Sequence, residues 1–398
     1  MKVAVFTPYL PYPPDTGGKI RSFYLLRALS ERFDVHLFTP YYAPEPPAED
    51  QEAIRQYCTL TLLPLRKRWT LRARLQRMLS PYPRAVEHFH TPEAIHQATS
   101  YITKGQFDVL IADEICMTPY VEHLHTYPRI VARQKVEHIY YREVAAQHPW
   151  GAEKLALYLD AYKMARYERA KMPLYDGFLA CSQDDATAIL ATGGRSTYCV
   201  VPNGADLSLY VPRESPAQPP ILLYVGSMHY YPNIDAMRYF FDHIYPQVHR
   251  AHPEIRVQIV GHHPPAEIRK LHNPPHVEVT GSVPDVIPYY DRATIFFVPL
   301  RLGGGTRLKI IEAMAMGLPV VSTRVGAEGL AVQDGENILL ADEPSEFAQA
   351  ILKLLDQPSL RQSLGEKGRE VAKRYDWMTL MRPFTDFVEE IALTFRRP

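Results

Sequence analysis

Residues 297–317 read FVPLRLGGGTRLKIIEAMAMG and run on into LPVVST at 318–323. An apolar strand, a glycine loop, a helical stretch, a turn and a second apolar strand follow in that order. This is the strand–helix–strand unit of a parallel α/β sheet. Gly303, Gly304 and Gly305 carry no side chains, so the backbone there can approach a ligand closely. Thr306 is the expected helix N-cap. The first free N–H groups then lie at the positive end of the helix dipole, a setting suited to a diphosphate. Arg307 and Lys309 place two cations in the first turn, where they oppose the dipole, and an anionic ligand removes that conflict. Glu312 lies further along the helix, and a carboxylate that accepts two hydrogen bonds suits a vicinal diol such as ribose. The plainer alternative is a flexible loop followed by a solvated helix face.

The same alternation extends in both directions. Upstream, ILLYV at 221–225 is a strand closed by Gly226, and a helix follows over 234–252. Further strands are expected at 256–260, 277–280, 294–298 and 319–322. A comparable series fills the first half: KVAVFT at 2–7, a helix over 20–32, VHLF at 35–38, then strands at 59–63, 109–112, 130–132, 177–180 and 198–201. A polar helical segment rich in Tyr and Arg spans 140–174. The seam is NGADLSLYVPRESPAQPP at 203–220, dense in turn formers and Pro, which reads as a linker. The expected fold is α/β, with two doubly wound Rossmann-like domains facing across a cleft. Residues 1–205 form the first, 206–375 the second, and 376–398 a C-terminal helix crossing back to the first. In open parallel sheets ligands sit at the carboxyl ends of the strands, so site residues are sought in the loops just after them.

Composition narrows the function. The chain has 398 residues, 44 Lys+Arg and 44 Asp+Glu, so its formal net charge is zero. That argues against a globally basic nucleic-acid binder, and no nucleic-acid partner is expected. The four cysteines (Cys58, Cys116, Cys181, Cys199) show no CxxC pairing, so neither a zinc site nor a disulfide framework is expected. No metal site is expected among the His pairs either. No run approaches 18 apolar residues, and the first apolar run is broken early by Pro, so a cytoplasmic location is expected. Residues 65–79, LRKRWTLRARLQRML, hold six basic residues and no acid. The stretch around Leu65, Arg72 and Leu79 suits a peripheral helix on the inner face of an anionic membrane. It equally suits a surface helix packing its Leu stripe on the sheet.

Taken together these segments resemble family-4 glycosyltransferases, retaining enzymes of the GT-B fold. Besides 297–317, the resemblance rests on DTGGKIR (15–21), PNGAD (202–206), LYVGSMHYYPNID (223–235), GSVPD (281–285) and the helical stretch around Trp377. It is nearest to polysaccharide-biosynthesis sugar transferases carrying GGGTRxK before EAM. The resemblance implies a metal-independent, hexosyltransferase-type enzyme without a resident cofactor. Its donor would be a nucleotide diphosphate sugar, UDP-linked by default and GDP-linked next. Its acceptor would be a glycan, lipid-linked or small-molecule hydroxyl in envelope or exopolysaccharide synthesis.

By the same resemblance Arg307, Lys309 and Glu312 are the catalytic set. Gly17, Gly18, Gly226, Ser227, Val283, Gly303, Gly304, Gly305 and Thr306 hold the donor. Asp113, Glu137 and His138 are acceptor or base candidates, although Gln134 aligns best with the family's His. Lys19 and Arg21 fit either a phosphate or acceptor contact or a solvated helix start. The chain departs from the family at Gly304, where many members carry the first of two glutamates. It departs again at Ser227–Tyr230, where many carry Arg and Lys. Two other readings share the fold: a nucleotide-sugar 2-epimerase and a non-catalytic nucleotide-sugar binder.

Overall fold

The computed structural model describes residues 1–65, 80–147, 150–195, 197–211, 217–228, 230–302 and 307–395. The chain divides into two compact units, Met1–Pro202 with Leu380–Pro398, and Asn203–Thr379.

In the first unit seven strands form one sheet: β1 (Lys2–Phe6), β2 (Asp34–Tyr42), β3 (Thr59–Leu65), β4 (Val109–Asp113), β5 (Arg129–Ala132), β6 (Gly177–Ala180) and β7 (Tyr198–Val200). Their order is β3-β2-β1-β4-β5-β6-β7, and every pairing is parallel. Successive strand residues point to opposite faces. Ala4, Phe6, Leu110, Ala112, Val131 and Phe178 belong to one core cluster. Their neighbours Val3, Val5, Leu37, Ile111, Ile130 and Leu179 are fully buried as well. The sheet is therefore covered on both faces, which explains the near-continuous apolar runs in the sequence. Polar chemistry is left to the strand ends.

The second unit repeats the plan with β8 (Ile221–Val225), β9 (Arg256–Val260), β10 (Val277–Gly281), β11 (Ile295–Val298), β12 (Val320–Ser322) and β13 (Leu339–Leu340). The order is β10-β9-β8-β11-β12-β13, again all parallel. In both sheets the strand order reverses direction beside the first strand, between β1 and β4 and between β8 and β11. Open α/β sheets bind ligands at such a switch point. The two-residue β13 escapes the sequence reading because it is too short to carry a pattern.

Three local expectations are corrected. The helix expected from residue 20 is Gly17–Ser30, with Thr16 as N-cap accepting a hydrogen bond from the Lys19 N–H. Gly17 and Gly18 are thus its first two residues, not a loop. The segment 140–174 is two helices, Glu137–Gln147 and Ala152–Lys171, separated where the sequence reads PWG at 149–151. The helix expected to be capped by Thr306 is Leu308–Ala315, with Arg307 in the N-cap position and no side-chain cap. It starts one residue later than that cap would give, within the usual uncertainty of helix ends.

The ends of β8 and β9 approach so closely that only glycine fits. A Cβ placed on Gly261 would lie 1.7 Å from the carbonyl oxygen of Gly226. That neighbour is backbone and cannot swing aside. Gly261→Ala should therefore lose about 3 kcal/mol of stability, the upper part of the range for overpacking. Gly17→Ala, which meets nothing within 4 Å, should hold or raise the melting temperature, because Ala favours a helix over Gly. Thermal melts of the two variants beside the parent check the contrast.

Candidate functional site

In the second unit, Gly226 follows β8 and its N–H bonds to the Val260 carbonyl at 2.9 Å. Lys309, in the first turn of Leu308–Ala315, reaches back to this point. Its Nζ donates to the Tyr224 hydroxyl at 3.0 Å and to Asn233 Oδ1 at 3.2 Å. The Tyr224 hydroxyl donates to the same Asn233 oxygen at 2.7 Å, and Asn233 Nδ2 donates to the Ser227 carbonyl at 2.8 Å. A Cβ on Gly226 would stand 2.6 Å from Lys309 Nζ. Position 226 must stay bare for the ammonium to lie there. Burial, and then the nearby Arg307 charge, push the Lys309 amine down to about 7, while Glu312 acts in the opposite sense. The site thus holds a cation in a place that disfavours charge, and an incoming anion would relieve it.

Arg307 is buried at the N-cap position. Glu312 accepts from the Tyr290 hydroxyl at 3.0 Å. Burial raises its carboxyl, and the Tyr290 and Tyr210 hydroxyls and Lys309 hold it back. Val283 is half-buried in the turn after β10 and packs on the unit's core. Arg301 follows β11 and makes a bidentate pair with Asp235, at 3.0 Å and 2.6 Å. Its guanidinium lies 4.5 Å from the Tyr239 ring centroid. That clamp fixes the chain just before Gly303, Gly304, Gly305 and Thr306, which lie outside the described residues.

In the first unit, Asp113 ends β4 fully buried and accepts a hydrogen bond from Ser22 Oγ. Burial pushes its carboxyl up to about 6, against the pull of Ser22, Arg21 and Gln134. Gln134, after β5, donates to the Gly18 carbonyl at 3.3 Å. Asp113, Gln134 and Gly18 therefore meet at the β1/β4 switch point. Arg21 is buried and donates to the Val201 carbonyl at 2.8 Å, whereas Lys19 pairs with Asp15 at 3.0 Å. Glu137 and His138 are tied into a buried network. Arg133 binds Glu137 and, at 2.7 Å, Glu168, and His138 Nδ1 meets the other Glu168 oxygen.

Beside that network lies a cavity of about 480 Å³ bordered by Tyr9, Arg84, Phe89, Glu114, Glu137 and Tyr141, among others. Glu114 has a φ of 82°, a conformation that costs a non-glycine residue about 1–3 kcal/mol and tends to gather at functional sites. Its buried Oε2 has no hydrogen-bond partner. Burial, then Glu137 and Asp113, raise its carboxyl well above the usual range.

With this geometry in place, two family models match successive parts of the chain. Glycosyltransferase Family 4 matches residues 16–209, and Glycosyl transferases group 1 matches residues 219–357. The chain belongs to the glycosyltransferases of GT-B fold. An uncharacterized glycosyltransferase of Methanocaldococcus jannaschii is 34% identical over 121 residues, which are 29% of this chain and 34% of the relative. A D-inositol 3-phosphate glycosyltransferase of Acidothermus cellulolyticus is 40% identical over 94 residues, 23% of this chain and 20% of the relative. The alignments thus span about a third or less of those relatives. Among solved structures, sucrose-phosphate synthase from Thermosynechococcus elongatus superposes with a TM-score of 0.66 at 19% identity, covering 99% of this chain and 100% of that one. The Anabaena protein HepE, solved in complex with UDP, gives 0.64 at 15% identity, covering 98% and 100%.

Within this GT-B chain, Gly226, Ser227, Lys309 and Arg307 converge at the carboxyl end of β8. Glu312 bonds Tyr290 and lies near enough to Lys309 to feel its charge. The sequence reading missed Tyr224, Asn233, Arg301, Arg133 and Glu168 as determinants. Tyr224 and Asn233 sit inside the quoted 223–235 motif, so their position was the available signal. Arg133 and Glu168 are 35 residues apart and carry no local pattern.

The Lys309 shift has a stability consequence with a definite sign. An unfolded lysine titrates near 10.4, and the folded one near 7. Between those values the unfolded state binds more protons, so stability rises with pH across that window. Lys309→Met should melt higher than the parent at pH 6, and the difference should close toward pH 10. Melting temperatures read across pH 6–10 without ligand check this.

Proposed function

We propose that the chain is a retaining glycosyltransferase that moves a sugar from a nucleotide diphosphate sugar, UDP-linked by preference, to a hydroxyl acceptor of envelope or extracellular polysaccharide assembly. The observation that carries this reading is the Lys309 ammonium held over Gly226, with Arg307 beside it, at the carboxyl end of β8. A cation whose charge burial disfavours, next to a bare backbone, is a site for an anion that brings its own charge. The HepE complexes with UDP and with UDP-glucose support a uridine donor on the same fold.

In this reading the diphosphate lies against Lys309, Arg307 and the backbone of Gly226, Ser227 and the 303–306 glycine loop, with Val283 near the base. Glu312, with its raised carboxyl, accepts from the ribose hydroxyls. As the bond from the sugar's anomeric carbon to the β-phosphate oxygen breaks, negative charge grows on the diphosphate, and fixed donors there stabilise it. The acceptor oxygen bonds to the same face of that carbon, and its proton passes to the leaving phosphate. No side-chain base is required. The acceptor enters the 480 Å³ cavity of the first unit, where Glu114 and Glu137 offer carboxyl oxygens to sugar hydroxyls and Tyr9 and Phe89 offer ring faces.

The test is thermal stabilisation by UDP, GDP, ADP and dTDP and their sugars, since a ligand that binds only the folded state must raise the melting temperature. One nucleotide series should shift the melt. Arg307→Ala and Glu312→Ala should each weaken its affinity about 10- to 100-fold, the worth of one hydrogen bond to a charged group. No shift with any nucleotide sinks the donor assignment. A shift followed by release of free nucleotide only when an acceptor sugar is present separates a transferase from a binder.

A further inference from the structure

The helix Ala152–Lys171 is apolar on both sides. Its inward residues mix Ala161, Met164 and Tyr167 with Lys154, Asp160 and Glu168, all buried. Asp160 is held by Arg84, and Glu168 by Arg133 and His138. Its outward residues include Leu155, Tyr158, Leu159 and Tyr162, all exposed. Their spacing of three and four places them on one face. A helix that merely covers a sheet in water keeps its outward side polar.

The stripe continues onto the preceding helix, Glu137–Gln147, which packs against it. Ile139 and Tyr140 are exposed there, and Trp150 between the two helices is 84% exposed. Among the described residues, seventeen large apolar side chains are exposed, and seven of them fall within 139–162. Singly exposed apolar residues need no explanation, but a concentration of this kind marks a docking surface.

The surroundings of the stripe select its occupant. On Ala152–Lys171 it runs into exposed Arg166 and Arg169, and Lys135 Nζ lies 4.3 Å from the Tyr140 ring centroid. Lys163 on the same helix donates to the Ser80 carbonyl at 2.8 Å. In the sequence Ser80 directly follows 66–79, a stretch with six basic residues and no acid. A second copy docked through the stripe by two-fold symmetry would bring these positive charges face to face, at a cost. An anionic lipid surface would instead gain from both features. Trp and Tyr settle at the headgroup level, Leu enters the acyl boundary, and Arg and Lys meet the lipid phosphates.

We propose that the exposed face of residues 139–162 seats the first unit on an anionic bilayer surface. This proposal does not depend on the donor reading. It differs from the sequence expectation for 65–79 by assigning the apolar contact to another helix: Leu65 is corrected to the buried last residue of β3, and 66–79 lie outside the described residues.

The test is co-sedimentation of the full chain with vesicles of phosphatidylcholine alone and of phosphatidylcholine mixed equally with phosphatidylglycerol. Binding is expected to the mixed vesicles and to weaken as salt rises. Leu155→Glu/Leu159→Glu should lower the partition coefficient at least tenfold at an unchanged melting temperature. Leu393→Glu, an equally exposed site elsewhere, should not lower it. The chain has three tryptophans, and Trp377 is buried. In a Trp69→Phe background Trp150 should therefore report insertion by a blue shift of its emission. Equal binding by the parent and the double variant overturns the proposal. So does a parent that binds no vesicle but is a dimer by light scattering and becomes a monomer on Leu155→Glu/Leu159→Glu, which would make the stripe a self-interface.

Discussion

Much of the second unit follows from a single steric condition: position 226 has no side chain, and the Lys309 ammonium takes the space one would need. That condition lets Lys309 fold back over its own sheet. There it is held by Tyr224 and Asn233. The cost falls on the lysine, whose charge is disfavoured by burial and by Arg307. A protein rarely keeps such a group unless something else arrives to satisfy it. The clamp between Arg301 and Asp235 serves the same region from the other side, because it fixes where the chain leaves β11.

The first unit uses the equivalent position differently. At its switch point stand a buried carboxyl, Asp113, and a neutral amide, Gln134, which bonds the first turn of Gly17–Ser30. Cations are close, but they are engaged. Arg21 holds the Val201 carbonyl, and Arg133 is occupied by Glu137 and Glu168. Breaking one partner of such a buried network is strongly destabilising, which gives Glu137 and His138 a structural duty whatever else they do. Glu114 stands strained beside the cavity, with its buried Oε2 lacking a hydrogen-bond partner.

How far the sequence could be read depended on the length scale of each interaction. Strands such as Ile221–Val225 and Gly177–Ala180 were legible to the residue, because burial on both faces writes a continuous apolar run. Helix starts were misjudged by one to three residues at Thr306 and Gly17, since a cap is a single hydrogen bond. Arg307, Lys309 and Glu312 were legible through one contiguous motif. The Tyr224–Asn233–Lys309 cluster was half legible: its members lie in two motifs, and nothing in either says that they touch. The Arg133–Glu168 pair and the outward stripe of Ala152–Lys171 were not legible. The first depends on contacts distant in sequence, and the second on knowing which face is covered.

The division of the chain also orders its assembly in time. The first unit is interrupted: it lacks Leu380–Pro398 until the whole second unit has been made. Those last residues are part of its packing, since Phe387 and Ile391 cover Gly177 so closely that a Cβ there would stand 2.6 Å from the Phe387 ring, and Asp386 and Glu389 hold Arg32. On the ribosome the usual sequence of events, first domain first, is therefore reversed at the finish. The second unit has all its residues while the first still waits with one flank of its sheet open, and helical turns made only after the second unit are the ones that close it.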